Sequence, residues 1–274
     1  SPSMYPSGKN ALAWNNCLLD FFKTDEDTTR VIQQSWPSNL LVKHLIRDRF
    51  FHSYLCEYWK QYQSFPSSLA TFVKFVTERS TKQFCYDNEV NEEHFKSVYE
   101  NLCLVLGEAA FENYTNSSSV YVYKGQLEWG DIQQSGFGWL EPVASSEAKD
   151  TFQFVHDSIR QFLMAVWVAH TVRTQTDCTE LLRVCAEKSD QLPITCYSLA
   201  HLLSMTDSPS TYLQQFVTLL MQQEGGLNDF NHLLSVATIT AESRQLDALS
   251  TSIENLFPNK TLDLTALPEI SLHG

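Results

Sequence analysis

Apolar residues recur at steps of three and four along most of the chain, a spacing that predicts a mainly helical protein. Residues 10–24 and 28–62 read as helical. Val31, Ile32, Leu40, Leu41, Leu45, Ile46, Phe50, Tyr54, Leu55 and Tyr58 mark the apolar positions of the second segment, and Pro37 marks a break within it. The Phe-Pro-Ser-Ser turn at 65–68 offers a serine cap before Leu69, Phe72, Val73 and Val76, which share one face of the next helix. Beyond a polar, acidic stretch at 88–93, another helix is written by Phe95, Val98, Leu102, Leu106, Ala109 and Ala110.

The period then changes. Residues 119–123 are short, aromatic and β-branched, Gly136 and Gly138 punctuate a turn, and 139–143 and 152–155 bracket a polar loop at 144–150. Helix, helix, short strand and hairpin in this order suggest a winged helix with the hairpin as its wing. A strongly apolar helix is expected from Ser158 to about Val172. Helix pairs follow at 179–188, 192–205, 209–224, 228–240 and 244–256, joined by short connections that carry Pro193, Pro209, Gly225 and Gly226. No period of about 20–50 residues repeats along this half. In the tail, Leu262, Leu264, Leu267, Ile270 and Leu272 are spaced as a strand and turn would be, and the last three fit the first half of a leucine-rich repeat.

Composition narrows the function. With 274 residues, 43% of them hydrophobic, the chain can bury a substantial core. Its formal charge of −13 disfavours duplex nucleic acid and anionic membranes as partners, because both are polyanions. The seven cysteines are an odd number, contain no CxxC and lie mostly in apolar runs, so they read as buried free thiols of a reducing compartment. No stretch approaches about 18 apolar residues, and the first residues have neither the basic region nor the apolar core of a signal peptide. The expectation is a soluble, cytoplasmic protein without a membrane span. Three glycosylation sequons, at Asn113, Asn116 and Asn259, then read as chance matches.

Chemistry-bearing motifs are few. Ser7-Gly8-Lys9-Asn10 is the nearest thing to a phosphate loop, but it lacks the Ser or Thr after the lysine and the glycine five residues before Gly8. With no GxGxxG, HExxH or GxSxG either, the chain is not expected to be an enzyme. His52 and Cys56 stand four residues apart, half of a metal site with no second pair to complete it, and read as two residues of an ordinary helix. Asp25, Glu26 and Asp27 read as a solvated helix terminus.

His156 stands apart, because an apolar-alternating strand, 151–155, runs through it directly into an apolar helix. A helix start presents backbone N–H groups that favour anions, and an imidazole beside them can donate to a phosphate oxygen. The alternative is a histidine that caps the helix or fills the core.

This segment resembles the end of the winged helix in NOD-like receptors, where an aromatic strand, a histidine and an apolar helix with a Gln-Glu pair follow one another. Phe152, Phe154, His156, Phe162 and Ala165 match by position, and the Gln-Glu pair is here Arg160-Gln161. Upstream, Leu102 to Phe111, Val120 to Tyr123, Leu127 and the Gly-Phe-Gly-Trp-Leu run at 136–140 resemble the same family's winged-helix pattern. Pro66, Ser67, Ser68, Leu69 and Phe72 resemble the opening of its first helix. The resemblance covers most of the chain by order of elements, and its specific part is the segment around His156.

What it implies is the C-terminal half of a NACHT module: part of the first helical domain at 1–64, a winged helix at 65–157, the second helical domain at 158–260 and the start of leucine-rich repeats at 261–274. In that family the winged-helix histidine touches the β-phosphate of ADP and holds the module closed, a role His156 inherits by resemblance. ADP or ATP with Mg²⁺ would then be ligands of the parent protein, not held tightly by this segment alone, because the phosphate loop lies outside it. The implied partners are the receptor's own nucleotide-binding domain and leucine-rich repeats, then a homo-oligomer or signalling adaptor on activation. The family's adenine-packing proline is expected near 49–56, where this sequence has none. Two other readings stay open. One is a helical scaffold for partner proteins without nucleotide. The other is a DNA-binding winged helix, disfavoured because Glu92, Glu93, Glu100 and Glu108 outnumber Lys96 on its recognition helix.

Overall fold

Short polar side chains start the helices of the first part of the chain. In the computed structural model, Asp25 accepts from the Thr28 amide at 2.9 Å and starts α2 (Glu26–Ser35), which follows α1 (Gly8–Phe21). Asn39 accepts from Val42 at 3.0 Å to start α3 (Leu40–Leu45). Asp48 caps the 3₁₀ turn Arg49–Phe51 that leads into α4 (His52–Tyr62). Each cap satisfies an amide that the first turn of a helix leaves open. The structure describes residues 8–223 other than 88, 90, 118, 124–137, 144–150, 175–177, 190 and 206–210.

The described chain is mainly α-helical with one small three-stranded antiparallel sheet, and it forms two compact units that divide between Phe72 and Val73, inside α5 (Leu69–Asp87). In the first unit, Trp14 and Leu18 of α1, Ile32 of α2, Leu45 of α3 and Leu55 and Cys56 of α4 are almost fully buried. α4 ends where Gln63 adopts a left-handed conformation, φ 54°, and returns its amide to the Trp59 carbonyl at 2.8 Å. The segment expected to be helical over 28–62 breaks at Pro37 as expected. It breaks a second time at 46–48, where Asp48 turns its carboxylate onto a local amide and the chain leaves the helix. The Asp25–Asp27 run lies at the start of α2, where carboxylates complement the exposed amides.

The second unit contains the rest of α5, α6 (Phe95–Ser117), strands β1 (Tyr121–Tyr123), β2 (Leu140–Pro142) and β3 (Thr151–Phe154), and helices α7 (Asp157–Thr174), α8 (Thr179–Glu187), α9 (Pro193–Ser204) and α10 (Thr211–Gln222). The expected serine cap of α5 is Ser68, whose Oγ accepts from Thr71 at 2.9 Å. The strands lie in the order β1-β3-β2, with Val122 opposite Phe152 and Leu140 opposite Phe154. Pro142 sits on an edge strand, where a missing amide is tolerated.

α7 is the centre of this unit. Ile159, Leu163, Met164, Ala165, Val168 and Val172 are fully buried, and the helix packs against α6 on one side and α9 on another. A helix apolar around most of its circumference needs neighbours on several sides, which α6, α8 and α9 supply. Among the described residues no helix is long and apolar enough to cross a membrane. The expected helices at 228–240 and 244–256 and the leucine-rich half-repeat lie outside the described residues.

Candidate functional site

His156 occupies the single-residue step between sheet and helix. β3 ends at Phe154, the Val155 amide donates to the Trp139 carbonyl at 2.9 Å, and α7 begins at Asp157. The His156 carbonyl accepts from Ile159 at 3.1 Å, and its ring Nδ1 accepts from the Ser158 amide at 3.1 Å. This is a helix cap made by an imidazole, so the capping role weighed for this histidine is present. An Nδ1 that accepts carries no proton, so the neutral ring bears its hydrogen on Nε2. The side chain is half-buried.

Directly behind it lies a polar cluster that the apolar pattern conceals. Asp157 Oδ1 accepts from Arg160 Nε at 2.7 Å, and Oδ2 accepts from Gln161 Nε2 at 2.5 Å. Positions three and four residues on from an aspartate face it across one helical turn, which is how one carboxylate holds both. Arg160 is buried, its side chain 5% exposed, with the guanidinium carbon 5.0 Å from the centre of the Tyr114 ring and Nη1 on the Met164 sulfur at 3.4 Å. A buried cation persists when it is paired and laid on an aromatic face, and this one has both. Lys188 approaches the same ring at 5.1 Å, and the Tyr114 hydroxyl donates to Gln191 at 2.7 Å.

Gln161 carries the cluster across to the next helix. Its Oε1 accepts from the Ile194 amide at 3.0 Å and the Thr195 amide at 3.3 Å, and its own carbonyl accepts from the Thr195 hydroxyl at 3.1 Å. Leu192, at the N-cap of α9, makes no side-chain cap, and Pro193 has no amide to satisfy. A side chain 33 residues earlier therefore caps α9 in place of a local one. Arg160 and Gln161, where the family pattern has Gln and Glu, thus tie α6, α7 and α9 together.

Electrostatically the cluster is almost closed on itself. Arg160 faces the half-exposed Asp157, and the first-turn amide of Ser158 is taken by His156.

Elsewhere, His52 and Cys56 both lie in the core of the first unit. His52 bonds through Nε2 to the Ile46 carbonyl at 3.0 Å and meets the Trp14 ring at 5.5 Å. Among the described residues no group of three or more His, Cys, Asp or Glu side chains could hold a metal ion. The segment 49–56, where the adenine-packing proline was sought, buries Phe51, His52, Leu55 and Cys56 in the same core. All seven cysteines are free thiols; six are buried and Cys17 is half-buried.

The sequence pointed to His156 but not to its neighbours. The spacing of Asp157, Arg160 and Gln161 was a legible signal for a local ion pair. Nothing in the sequence linked them to Tyr114 or Ile194, because those partners are reached only through packing. Comparison with protein-family models, with curated proteins and with solved structures gives no match for the chain. The fold class on which a functional reading can stand is therefore mainly α-helical, with a three-stranded antiparallel sheet between two long helices.

Proposed function

We propose that this chain is the helical and winged-helix block of a NOD-like receptor, a regulatory element that docks on a nucleotide-binding domain and keeps it closed around ADP. The observation that carries the reading is His156, a half-exposed imidazole at a strand-to-helix junction with its hydrogen on Nε2. That nitrogen is a donor of the kind a phosphate oxygen accepts from, at the start of α7. The order of α5, α6 and β1 and a β2–β3 hairpin placed outside β1 supports a winged helix with the hairpin as wing. Switching would be a two-state equilibrium biased by contacts that the histidine makes only while ADP is present.

The test restores the nucleotide-binding domain and replaces His156 with Ala. The expected outcome is faster ADP release and higher resting activity than in the parent. Unchanged ADP retention together with unchanged resting activity would remove the assigned role.

The scaffold reading has one observation in its favour. Asp157, Arg160 and Gln161 are engaged with one another and with α6 and α9, so the residues beside His156 already have a structural task. A parent sequence without GxxxxGK[ST] after a strand would favour this reading over the switch. DNA binding fits poorly, because Glu100, Glu108 and Glu112 are exposed along α6 and Lys96 is paired with Glu100 at 3.8 Å.

A further inference from the structure

Helices α1 and α4 run side by side in a regular register. Asn10 donates to the Arg47 carbonyl at 3.2 Å just before α4, and Trp14 meets His52 edge to face at 5.5 Å. One turn further along each helix come Cys17 and Cys56, which this register sets opposite one another across the contact of α1 and α4. The two differ in access: Cys17 is half-buried and Cys56 is 0% exposed. Cys178 and Cys196 differ again, because they donate to the carbonyls of Thr171 and Cys185.

We infer that Cys17 and Cys56 form a peroxide-responsive dithiol, with Cys17 as the attacking thiol and Cys56 as the resolving one. Redox-active cysteines need an accessible thiolate with a second thiol in reach, and the side-by-side contact of two helices supplies both. Two cysteines on facing turns of packed helices can also meet the short span that a disulfide requires. The hydrogen bond from Cys56 lowers the Cys17 thiol to about 7, while that contact and burial push Cys56 up. At neutral pH the accessible sulfur is thus the one ready to react.

In the first step the Cys17 thiolate attacks one oxygen of hydrogen peroxide, the O–O bond breaks, and the departing hydroxide takes a proton to become water. Cys17 is then a sulfenic acid. In the second, the Cys56 sulfur attacks the Cys17 sulfur, the S–O bond breaks, and the leaving oxygen departs as water with the Cys56 proton. Two thiols and one peroxide become one disulfide and two waters, which fastens α1 to α4 until a thiol reductant reverses it.

The experiment treats the reduced full chain with hydrogen peroxide, blocks the remaining thiols with N-ethylmaleimide and maps the peptides by mass spectrometry. The expected product is a Cys17–Cys56 linked peptide, with an intact mass lower by about 2 Da and restored by dithiothreitol. Cys17→Ser should abolish it. Cys56→Ala should leave a sulfenic acid at Cys17 that dimedone captures, and should slow alkylation of Cys17 at pH 7 by about threefold, the larger thiolate loss being partly offset by higher intrinsic nucleophilicity. The inference is overturned if Cys17 in the unmutated chain passes to sulfinic acid without a link to Cys56. It is equally overturned if peroxide leaves Cys17 reduced while other cysteines oxidise. Because the unmutated chain is mapped directly, neither result depends on a variant folding.

Discussion

Gly107 of α6 lies against the backbone of Leu163 in α7: a Cβ placed on Gly107 would stand 2.3 Å from the Leu163 carbonyl oxygen and 2.8 Å from Trp167 Cβ. Glycine inside a helix costs about 1 kcal/mol relative to alanine, so its presence mid-helix calls for a packing reason. Here the reason is the close approach that buries the pair's apolar faces and sets Phe111 5.1 Å from Trp167. The obstacle is backbone, which cannot rotate aside as a side chain would. Gly107→Ala is expected to lower stability by about 1–2 kcal/mol, overpacking exceeding the gain in helix propensity. Urea unfolding followed by circular dichroism measures this. A midpoint equal to or above the parent's would mean that α6 and α7 separate without loss.

Gln161 joins α7 to α9 through its side chain. Gln161→Ala removes the acceptor for two amides at the start of α9 and should cost about 1–3 kcal/mol, the penalty of leaving buried donors unmade. Gln161→Glu discriminates further. It keeps the acceptor for Ile194 and Thr195 but sets a second carboxylate where an amide now donates to Asp157 Oδ2. Like charges so close raise a folded-state carboxyl above its unfolded value. Such a group contributes stability that is fully present below its unfolded value and is lost as pH rises toward the raised folded one. The variant should therefore be less stable than the parent at pH 7 and approach it at pH 5. Equal stability at both would show that the contact with Asp157 contributes nothing.

These two sites mark the limit of what the chain's pattern discloses. The three- and four-residue periodicity located α5 to α10 but ran α3 and α4 together into one segment, and the shift to short aromatic and β-branched runs located β1 to β3, because both signals are local. Ser68 and Pro37 were legible for the same reason: each acts on the backbone within a turn of itself. Gly107 gave no signal, since its partner is a carbonyl 56 residues away on another helix. Arg160 and Gln161 entered the sequence reading only as the pair standing where the resembled family has Gln-Glu. Their burial follows from Tyr114 and from the uncapped start of α9, neither of which is near in sequence. His156 was visible because strand and helix periods meet there, and its capping bond follows from that position.

Buried thiols give the second unit a defined alkaline limit. Burial alone pushes Cys185 from 9.0 up to about 12, and burial is the leading cause of the same rise at Cys103. A group whose folded value is raised contributes fully below its unfolded value and loses that contribution as pH climbs toward the folded one. For these thiols the window opens near 9.0 and closes near 12. Within it the unfolded chain ionises and the folded chain does not, so each thiol costs about 1.4 kcal/mol of stability per pH unit. Cys185→Ala isolates one of them, at a fully buried position where the smaller side chain fits. The parent should lose about 2 kcal/mol relative to this variant between pH 8 and pH 10.5, read as a changing gap between their urea midpoints. A gap constant across that range would mean that the Cys185 thiol ionises inside the fold as readily as outside it.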